Sequence, residues 1–358
     1  MLDLADLGYG SFFAEQMADP ELSGCAPARV IEEHRRMWRV HDASTERWAE
    51  VTGKMYHDAV GKGDLPAVGD WIAFRARQGE ERVTIVRVLR RKSKFSRALA
   101  GDVTGEQVVA ANVDTVFVAF SLNRDLNLRR LERYLAVTHE SGARPVVVLT
   151  KADLVDDAEA VAAPVRAAAG DVAVHVLSAL DHRGFDQLGV YLGRGQTVAV
   201  MGSSGVGKST LVNQLHGQDV QRVQQIRQTD DRGRHTTTSR ELVFLPTGGL
   251  VIDTPGMREL GLWDADAGVA QAFDDIDSLA AQCKFRDCVH RQEPGCAVRA
   301  GLESGTISAT RYGSWLKLQD ELSALAKRQE AVSRVKEKSR VKAIEKTFRK
   351  HPNPHKRR

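Results

Sequence analysis

The chain has 358 residues, of which 42% are hydrophobic and 27% charged, a composition typical of a folded protein with two or three domains. No stretch approaches the roughly 20 apolar residues that a membrane-spanning helix needs. The first ten residues include Asp3 and Asp6 and lack the basic segment and apolar run of a secretory signal. We therefore expect a cytoplasmic protein with no membrane partner.

The positive net charge of +4 is concentrated at one end of the chain. Residues 327–358 contain thirteen Lys and Arg against three Glu, a local charge of +10, so the preceding residues are net negative. Positive charge concentrated in this way is typical of an arm that binds a polyanion such as RNA. The alternative is a solvated helix that only keeps the protein soluble.

The N-terminal part of the chain, up to residue 100, shows two different sequence patterns. Residues 1–27 show no clear periodicity and are interpreted as a leader. From 28 to 100, short β-like runs alternate with glycine and proline, which indicates a small antiparallel barrel. These runs are at 30–31, 38–40, 70–74 and 83–86. We predict an OB-fold, although other small barrels fit the same pattern.

Residues 101–262 alternate apolar strand-like runs with helical stretches, which predicts an α/β domain with a mainly parallel sheet. The predicted strands are at 113–120, 145–149, 172–177, 197–200, 241–245 and 250–252. The predicted helices are at 128–140, 158–169, 185–192 and 208–215.

A phosphate-binding loop lies between the predicted strand at 197–200 and the predicted helix at 208–215. Residues 202–209 match the pattern GxxxxGK[ST], in which glycines let backbone N–H groups approach phosphates at the positive end of a helix. We expect Lys208 to contact the β- and γ-phosphates and to be catalytic, and Ser209 to bind Mg²⁺. The residues predicted to bind nucleotide in this segment are Gly202, Ser203, Ser204, Gly205, Val206, Gly207, Lys208, Ser209 and Thr210.

Two further loops indicate that the base is guanine. The segment Thr150, Lys151, Ala152 and Asp153 follows a predicted strand. The Asp153 carboxylate can accept hydrogen bonds from guanine N1–H and the exocyclic amine, a donor pair that adenine lacks. The pair Ser178 and Ala179, after the next strand, fits the loop that offers a backbone N–H to guanine O6. Either motif alone is weak evidence for guanine binding.

A fourth motif, Asp-Thr-Pro-Gly at 253–256, ends the strand predicted at 250–252. Asp253 is placed to support Mg²⁺, and the Gly256 N–H is placed to sense the γ-phosphate as part of the catalytic machinery. A plain turn at the end of a strand is the alternative interpretation.

The order of these motifs is circularly permuted relative to ordinary GTPases, in which the phosphate loop comes first. Segment 233–238, Gly-Arg-His-Thr-Thr-Thr, occupies the switch position, where Thr237 or a neighbouring threonine is expected to bind Mg²⁺. Met257 stands where many GTPases place a glutamine that orients water, and a thioether cannot do this. His235 is therefore the candidate catalytic group, with a purely structural histidine as the alternative, and we expect slow intrinsic turnover and activation by a partner.

Residues 263–326 are predicted to be mostly helical around a cluster of metal-ligand residues. The four side chains, three thiols and one imidazole within fourteen residues, suggest a closed structural Zn²⁺ site. They are Cys283, Cys288, His290 and Cys296. Buried free cysteines beside a chance histidine, or a redox switch, are the alternatives.

The permuted order, the 233–238 segment and the cysteine–histidine cluster together resemble the ribosome small-subunit-dependent GTPase A family (RsgA, also called YjeQ or YloQ) over about residues 28–320. The resemblance implies an OB-fold, a circularly permuted GTPase domain and a zinc domain. It implies GTP hydrolysis coupled to late maturation of the small (30S) ribosomal subunit, stimulation by that subunit, and contacts with its 16S rRNA. By resemblance, residues 150–153 and 202–210 bind the nucleotide, and the cluster binds zinc.

Two other functions fit the same residues. One is an RNA-binding scaffold whose GTP site locks its conformation, with hydrolysis incidental. The other is an ATP-dependent kinase or ATPase, which requires that Asp153 does not read the base. Nothing in the sequence demands an oligomer, so we expect a monomer.

Overall fold

A computed structural model describes residues 2–34, 36–59, 61–76, 79, 81–99, 102–122, 126–217, 241–253, 266–327 and 330. The structural statements below concern these residues.

The N-terminal leader is a folded layer rather than an irregular extension. It contains helix α1 (Ser11–Met17) and a 3₁₀ turn at Pro20–Leu22. Phe13 is 1% exposed, and its ring centre lies 5.7 Å from that of Trp71. A seven-residue helix is too short to show helical periodicity in a sequence, so the pattern of residues 1–27 could not predict it.

The predicted barrel is confirmed as a closed five-stranded barrel. Its strands are β1 (Ala26–His34), β2 (Met37–His41), β3 (Glu46–Val51), β4 (Trp71–Ala76) and β5 (Arg82–Val88), with helix α2 (Gly53–Asp58) after β3. The order β1-β2-β3-β5-β4 closes through a β1–β4 pairing, and β3 and β5 are parallel. Apolar residues from alternate positions, among them Val30, Trp38 and Ile85, fill the interior.

A hairpin of β6 (Lys94–Leu99) and β7 (Asp102–Ala111) follows the barrel. Phe95, Val109 and Ala110 from its base belong to the same core as the central sheet. The boundary predicted between 100 and 101 therefore falls inside this hairpin.

The buried side chain of Arg29 joins the leader, the barrel and the base of the hairpin. Its guanidinium donates to the carbonyl oxygens of Leu7 at 2.5 Å, Gly69 at 3.3 Å and Asn112 at 3.0 Å. Burial lowers the pKa of Arg29 to about 10, and Asp114 and Asp70 oppose this change. Because these carbonyls belong to three segments, the leader is part of the folded unit.

We expect replacement of Phe13 by Ala to lower the free energy of unfolding by about 3 kcal/mol, because it removes a large buried aromatic from a packed cluster. Chemical denaturation followed by fluorescence measures this change. Leu2→Ala is the control, since Leu2 is 41% exposed. Equal stabilities of the two variants would show that the leader does not pack as described.

The central domain is built on a mainly parallel sheet, as predicted. Its strands are β8 (Thr115–Ser121), β9 (Arg144–Thr150), β10 (Val174–Val176), β11 (Thr197–Gly202), β12 (Glu241–Phe244) and β13 (Leu250–Asp253). The order is β10-β9-β8-β11-β13-β12, and only β12 of these runs antiparallel. Strand β12 also pairs with β1, which joins this sheet to the barrel.

The predicted helices appear as α3 (Leu128–Glu140), α4 (Ala158–Ala169) and α5 (Lys208–His216). Asn127 and Asp157 cap α3 and α4 by accepting hydrogen bonds from backbone N–H groups of the first turn. The helix predicted at 185–192 is instead a 3₁₀ helix, Phe185–Tyr191, that contains Gly189.

The C-terminal region is helical, as predicted. It contains α6 (Asp266–Ala272), α7 (Asp274–Ala280), α8 (Ala297–Glu303) and α9, which covers 309–327. Helix α6 packs closely on α3, since a Cβ at Gly268 would lie 2.1 Å from the Ala136 carbonyl oxygen. Arg311 of α9 contacts both Glu132 of α3 and Asp275 of α7. Every helix among the described residues is too short or too polar to cross a lipid bilayer.

Candidate functional site

The phosphate loop and the two predicted base-reading loops lie at one edge of the central sheet. The sheet contains five parallel strands, in the order β10-β9-β8-β11-β13. In the sequence, all of them except β8 are followed by one of the predicted nucleotide-binding motifs. The carboxyl ends of parallel strands meet at the same edge, which is where open α/β sheets bind ligands.

The phosphate loop connects β11 to α5 and depends on glycine at two points. A Cβ at Gly202 would lie 2.4 Å from the Ala119 carbonyl oxygen on β8, so only glycine allows this approach of the two strands. Gly207, immediately before α5, has φ of 94°, a left-handed conformation that side chains rarely adopt. The loop therefore has the tight backbone that a phosphate cradle requires.

Lys208 folds back over the loop that precedes it. Its Nζ donates to the carbonyl oxygens of Gly202 at 2.8 Å and Ser203 at 2.5 Å. Ser209 and Thr210, in the first turn of α5, are exposed. The amine of Lys208 thus lies at the cradle, and the hydroxyl groups that follow it are accessible to a bound ion or phosphate.

The predicted base-reading loop is joined directly to the phosphate loop. Thr150 Oγ1 donates to the Val206 carbonyl oxygen at 2.5 Å, and Lys151 Nζ donates to the Gly205 carbonyl oxygen at 2.6 Å. Lys151 itself has φ of 60°, which turns the chain sharply at the end of β9. The two loops therefore form one continuous surface.

Asp153 and Ser178 are brought together from consecutive loops. The Ser178 hydroxyl donates to Asp153 Oδ1 at 2.9 Å, and the Ala152 N–H donates to the Leu177 carbonyl oxygen at 3.0 Å. Ala179 follows Ser178 at the same edge and is partly exposed. A carboxylate held in this way is oriented to accept hydrogen bonds from the edge of a base.

Several predicted site residues lie outside the described residues. They are His235, Thr236, Thr237, Thr238 and Gly256. Asp253 ends β13, where its backbone position pairs with Glu241 of β12. The catalytic and Mg²⁺-binding roles assigned to these residues stay predictions.

One residue of the site was not predicted from the sequence. Arg130, in the first turn of α3, donates from Nη1 to the Ser203 hydroxyl of the phosphate loop at 2.5 Å. The position of this turn after β8, the strand beside β11, is the signal that could have identified it.

The cysteine–histidine cluster forms a compact group in the C-terminal region. The ligand atoms of Cys283, Cys288, His290 and Cys296 all lie within 4.8 Å of one another. Cys283 Sγ is 3.9 Å from Cys296 Sγ, and His290 Nδ1 is 3.4 Å and 3.5 Å from these two sulfurs. The cluster could hold a metal ion.

The surroundings of the cluster orient its ligands. The His290 ring lies edge-on to Trp315, and the backbone carbonyl oxygen of His290 accepts a hydrogen bond from the Tyr312 hydroxyl at 2.6 Å. Burial lowers the pKa of His290, which favours the neutral form that binds metals. Burial raises the pKa of Cys288 to about 11, and the Cys283 and Cys296 sulfurs add to this rise. A bound cation would offset the cost of placing thiolates so close together.

Comparisons with known proteins identify the family of the chain. Residues 88–263 match the family model described as RsgA GTPase. The chain is 46% identical over 352 residues to a protein of Opitutus terrae named small ribosomal subunit biogenesis GTPase RsgA, with 96% of each chain covered.

Two solved structures share the fold. YjeQ from Thermotoga maritima superposes with a TM-score of 0.63 at 26% identity, covering 83% of this chain and 98% of that one. YloQ, described as a circularly permuted GTPase, superposes with a TM-score of 0.59 at 25% identity, covering 84% and 96%. Because the identity to the Opitutus terrae protein extends over nearly the whole of both chains and residues 88–263 match the family model, the chain belongs to the RsgA family of GTPases.

Proposed function

We propose that this protein binds and hydrolyses GTP at the edge of the central sheet, and that hydrolysis serves the maturation of the small ribosomal subunit. The observation that carries the proposal is the direct bonding of Thr150 and Lys151 to the phosphate loop. It supports the proposal because the loop expected to read guanine and the loop expected to hold the phosphates are joined by hydrogen bonds. The relative from Opitutus terrae is named for the biogenesis of that subunit.

In this site the chain's own residues bind and orient the nucleotide. Asp153 accepts from the guanine edge, the Ala179 backbone faces O6, and Lys208 stabilises negative charge on the β- and γ-phosphates. Ser209, Thr237 and Asp253 would hold Mg²⁺, which when bound neutralises charge on the phosphate oxygens. The Gly256 N–H senses the γ-phosphate. His235 supplies the catalytic group, a role that the thioether of Met257 cannot perform, and the small subunit, as the partner, stimulates the reaction.

We further propose that the metal of the cysteine–histidine cluster is a single structural Zn²⁺. Tetrahedral Zn²⁺ with ordinary bond lengths separates two sulfurs by about 3.8 Å and a sulfur from a nitrogen by about 3.5 Å. The distances of 3.9 Å between Cys283 and Cys296 Sγ, and 3.4 Å between Cys283 Sγ and His290 Nδ1, fit these values. Three thiols and one imidazole also complete four ligands with no open position.

Replacement of Cys296 by Ser is expected to reduce the zinc content of the purified protein from about one ion per chain to nearly none, since Cys296 is a buried ligand of a four-ligand site. Elemental analysis measures the content, and thermal unfolding is expected to begin at a lower temperature. Cys25→Ser is the matched control, because Cys25 packs with the leader instead. Zinc retained by the Cys296 variant would contradict the assignment.

The proposed partner is the small ribosomal subunit with its 16S rRNA. We propose that the protein binds it as a monomer in the cytoplasm. Arginine–aromatic pairs on the barrel support RNA binding: Arg39 lies 5.5 Å from the Trp48 ring centre, and Arg36 lies 5.2 Å from that of Tyr56, which is 46% exposed. Such pairs are typical of surfaces that stack bases and contact phosphates. The basic tail at 327–358 adds positive charge.

Co-sedimentation with small subunits tests this proposal. We expect the protein to bind subunits more tightly with a non-hydrolysable GTP analogue than with GDP, because the γ-phosphate orders the switch segments. A chain ending at Ala326 is expected to bind more weakly and with a shallower dependence on salt. Equal binding in both nucleotide states would contradict coupling to GTP, and an unchanged salt slope would contradict RNA binding by the tail.

A further inference from the structure

The contact between Arg130 and the phosphate loop links two segments that are 73 residues apart in the chain. Arg130 Nη1 donates to Ser203 Oγ at 2.5 Å, and both side chains are partly buried. A hydrogen bond from a charged donor is about twice as strong as one between neutral groups. The contact therefore restrains the first variable residue of the loop, Ser203.

Ser203 is also held through its backbone by the lysine of the same loop. Lys208 Nζ donates to the Ser203 carbonyl oxygen at 2.5 Å. One residue thus receives hydrogen bonds from two cations, on its side chain and on its carbonyl. Ser203 therefore supplies one of the two carbonyl oxygens that orient the Lys208 amine, the other being that of Gly202, and a shift of the Ser203 backbone would move that acceptor.

We infer that Arg130 is a positioning residue of the GTP site, which fixes Ser203 and through it the orientation of Lys208. The inference rests on the proposed GTPase function of this site. Arg130 acts on the loop and not on the nucleotide, so its effect requires the Ser203 hydroxyl.

The helix that carries Arg130 is rigidly held, as a positioning role requires. Asn127 caps its first turn by accepting from the Arg130 backbone N–H at 3.2 Å. Two residues after Arg130, the buried Glu132 pairs with Arg311 at 3.2 Å, and the C-terminal part of the helix packs on Gly268 of α6. The guanidinium is therefore presented to the loop from a helix fixed on two sides.

Nucleotide affinity and steady-state kinetics of five variants test the inference. Arg130→Ala is expected to weaken binding of GTP and GDP by about tenfold and to lower kcat/KM for GTP, as for loss of one charge-assisted hydrogen bond. Ser203→Ala is expected to show the same loss, and the double variant no greater loss than either single one. Arg130→Lys keeps a donor and is expected to recover part of the affinity. Arg129→Ala is the control, since Arg129 is exposed on the same turn.

The outcomes separate this inference from the function on which it rests. Wild-type protein that binds no GTP would contradict the proposed function. Loss of such a hydrogen bond is expected to weaken GTP binding about tenfold. If the wild type binds GTP and the affinity of Arg130→Ala for GTP lies within about twofold of that of Arg129→Ala, the positioning role is overturned. An effect of Arg130→Ala without one of Ser203→Ala would overturn it too, because Arg130 would then act on the nucleotide directly. Unchanged melting of the variants without nucleotide shows that a loss of affinity does not arise from unfolding.

Discussion

Replacement of Lys208 by Ala is expected to lower the turnover number for GTP by about a thousandfold, the effect of removing a preorganised donor from developing negative charge. The Lys208 amine already lies against the carbonyl oxygens of Gly202 and Ser203, at the cradle where the phosphates would bind. Alanine leaves the loop glycines unchanged but removes the positive charge. Phosphate release under single-turnover conditions measures the effect on the chemical step, and binding of GDP is measured in parallel.

Lys317→Ala is the control for the loss of a positive charge, since Lys317 is exposed on α9. Its turnover should equal that of the wild type. Turnover of the Lys208 variant within about tenfold of the wild type would place the chemistry elsewhere, because a phosphate-loop lysine contributes more than this to phosphoryl transfer.

Replacement of Asp153 by Asn is expected to weaken GTP binding by about a hundredfold or more, because a site built to accept two hydrogen bonds rejects a base that cannot be paired. The asparagine amide would direct an N–H donor towards guanine donors. Xanthosine triphosphate carries a carbonyl in place of the exocyclic amine, so it is expected to bind the variant better than GTP does. Competition against a fluorescent nucleotide measures both affinities.

Asp156→Asn is the matched control, since Asp156 is an exposed carboxylate three residues further along the chain. It should bind GTP like the wild type. If the Asp153 variant binds GTP as tightly as the wild type, Asp153 does not read the base, and another group of the site must select guanine.

Much of the fold could be predicted because the central domain carries strong local patterns. The bounds predicted for two helices, 128–140 and 158–169, agree with α3 and α4, where apolar periodicity begins just after the capping residues Asn127 and Asp157. The buried parallel strands appear in the sequence as short apolar runs. The motifs follow these strands, so their meeting at one sheet edge could also be predicted.

Other parts could not be predicted because tertiary contacts determine them. Strand β3 alternates charged and apolar residues around Trp48, and its runs are too short to stand out. The leader is ordered by Phe13 against Trp71 and by the three carbonyls that Arg29 contacts, partners up to 83 residues away from Arg29. The role of Arg130 depends on α3 lying beside the phosphate loop, which no local pattern in its helix reveals.

The measurement that most directly tests the central claim is phosphate release from GTP and from ATP by the purified protein, with and without small ribosomal subunits. We predict slow release from GTP that rises many-fold when subunits are added, and no release from ATP in either condition, because we expect Asp153 to read guanine and because Met257 stands where many GTPases place a water-orienting glutamine. Equal release from both nucleotides, or GTP turnover that subunits do not change, would contradict the claim.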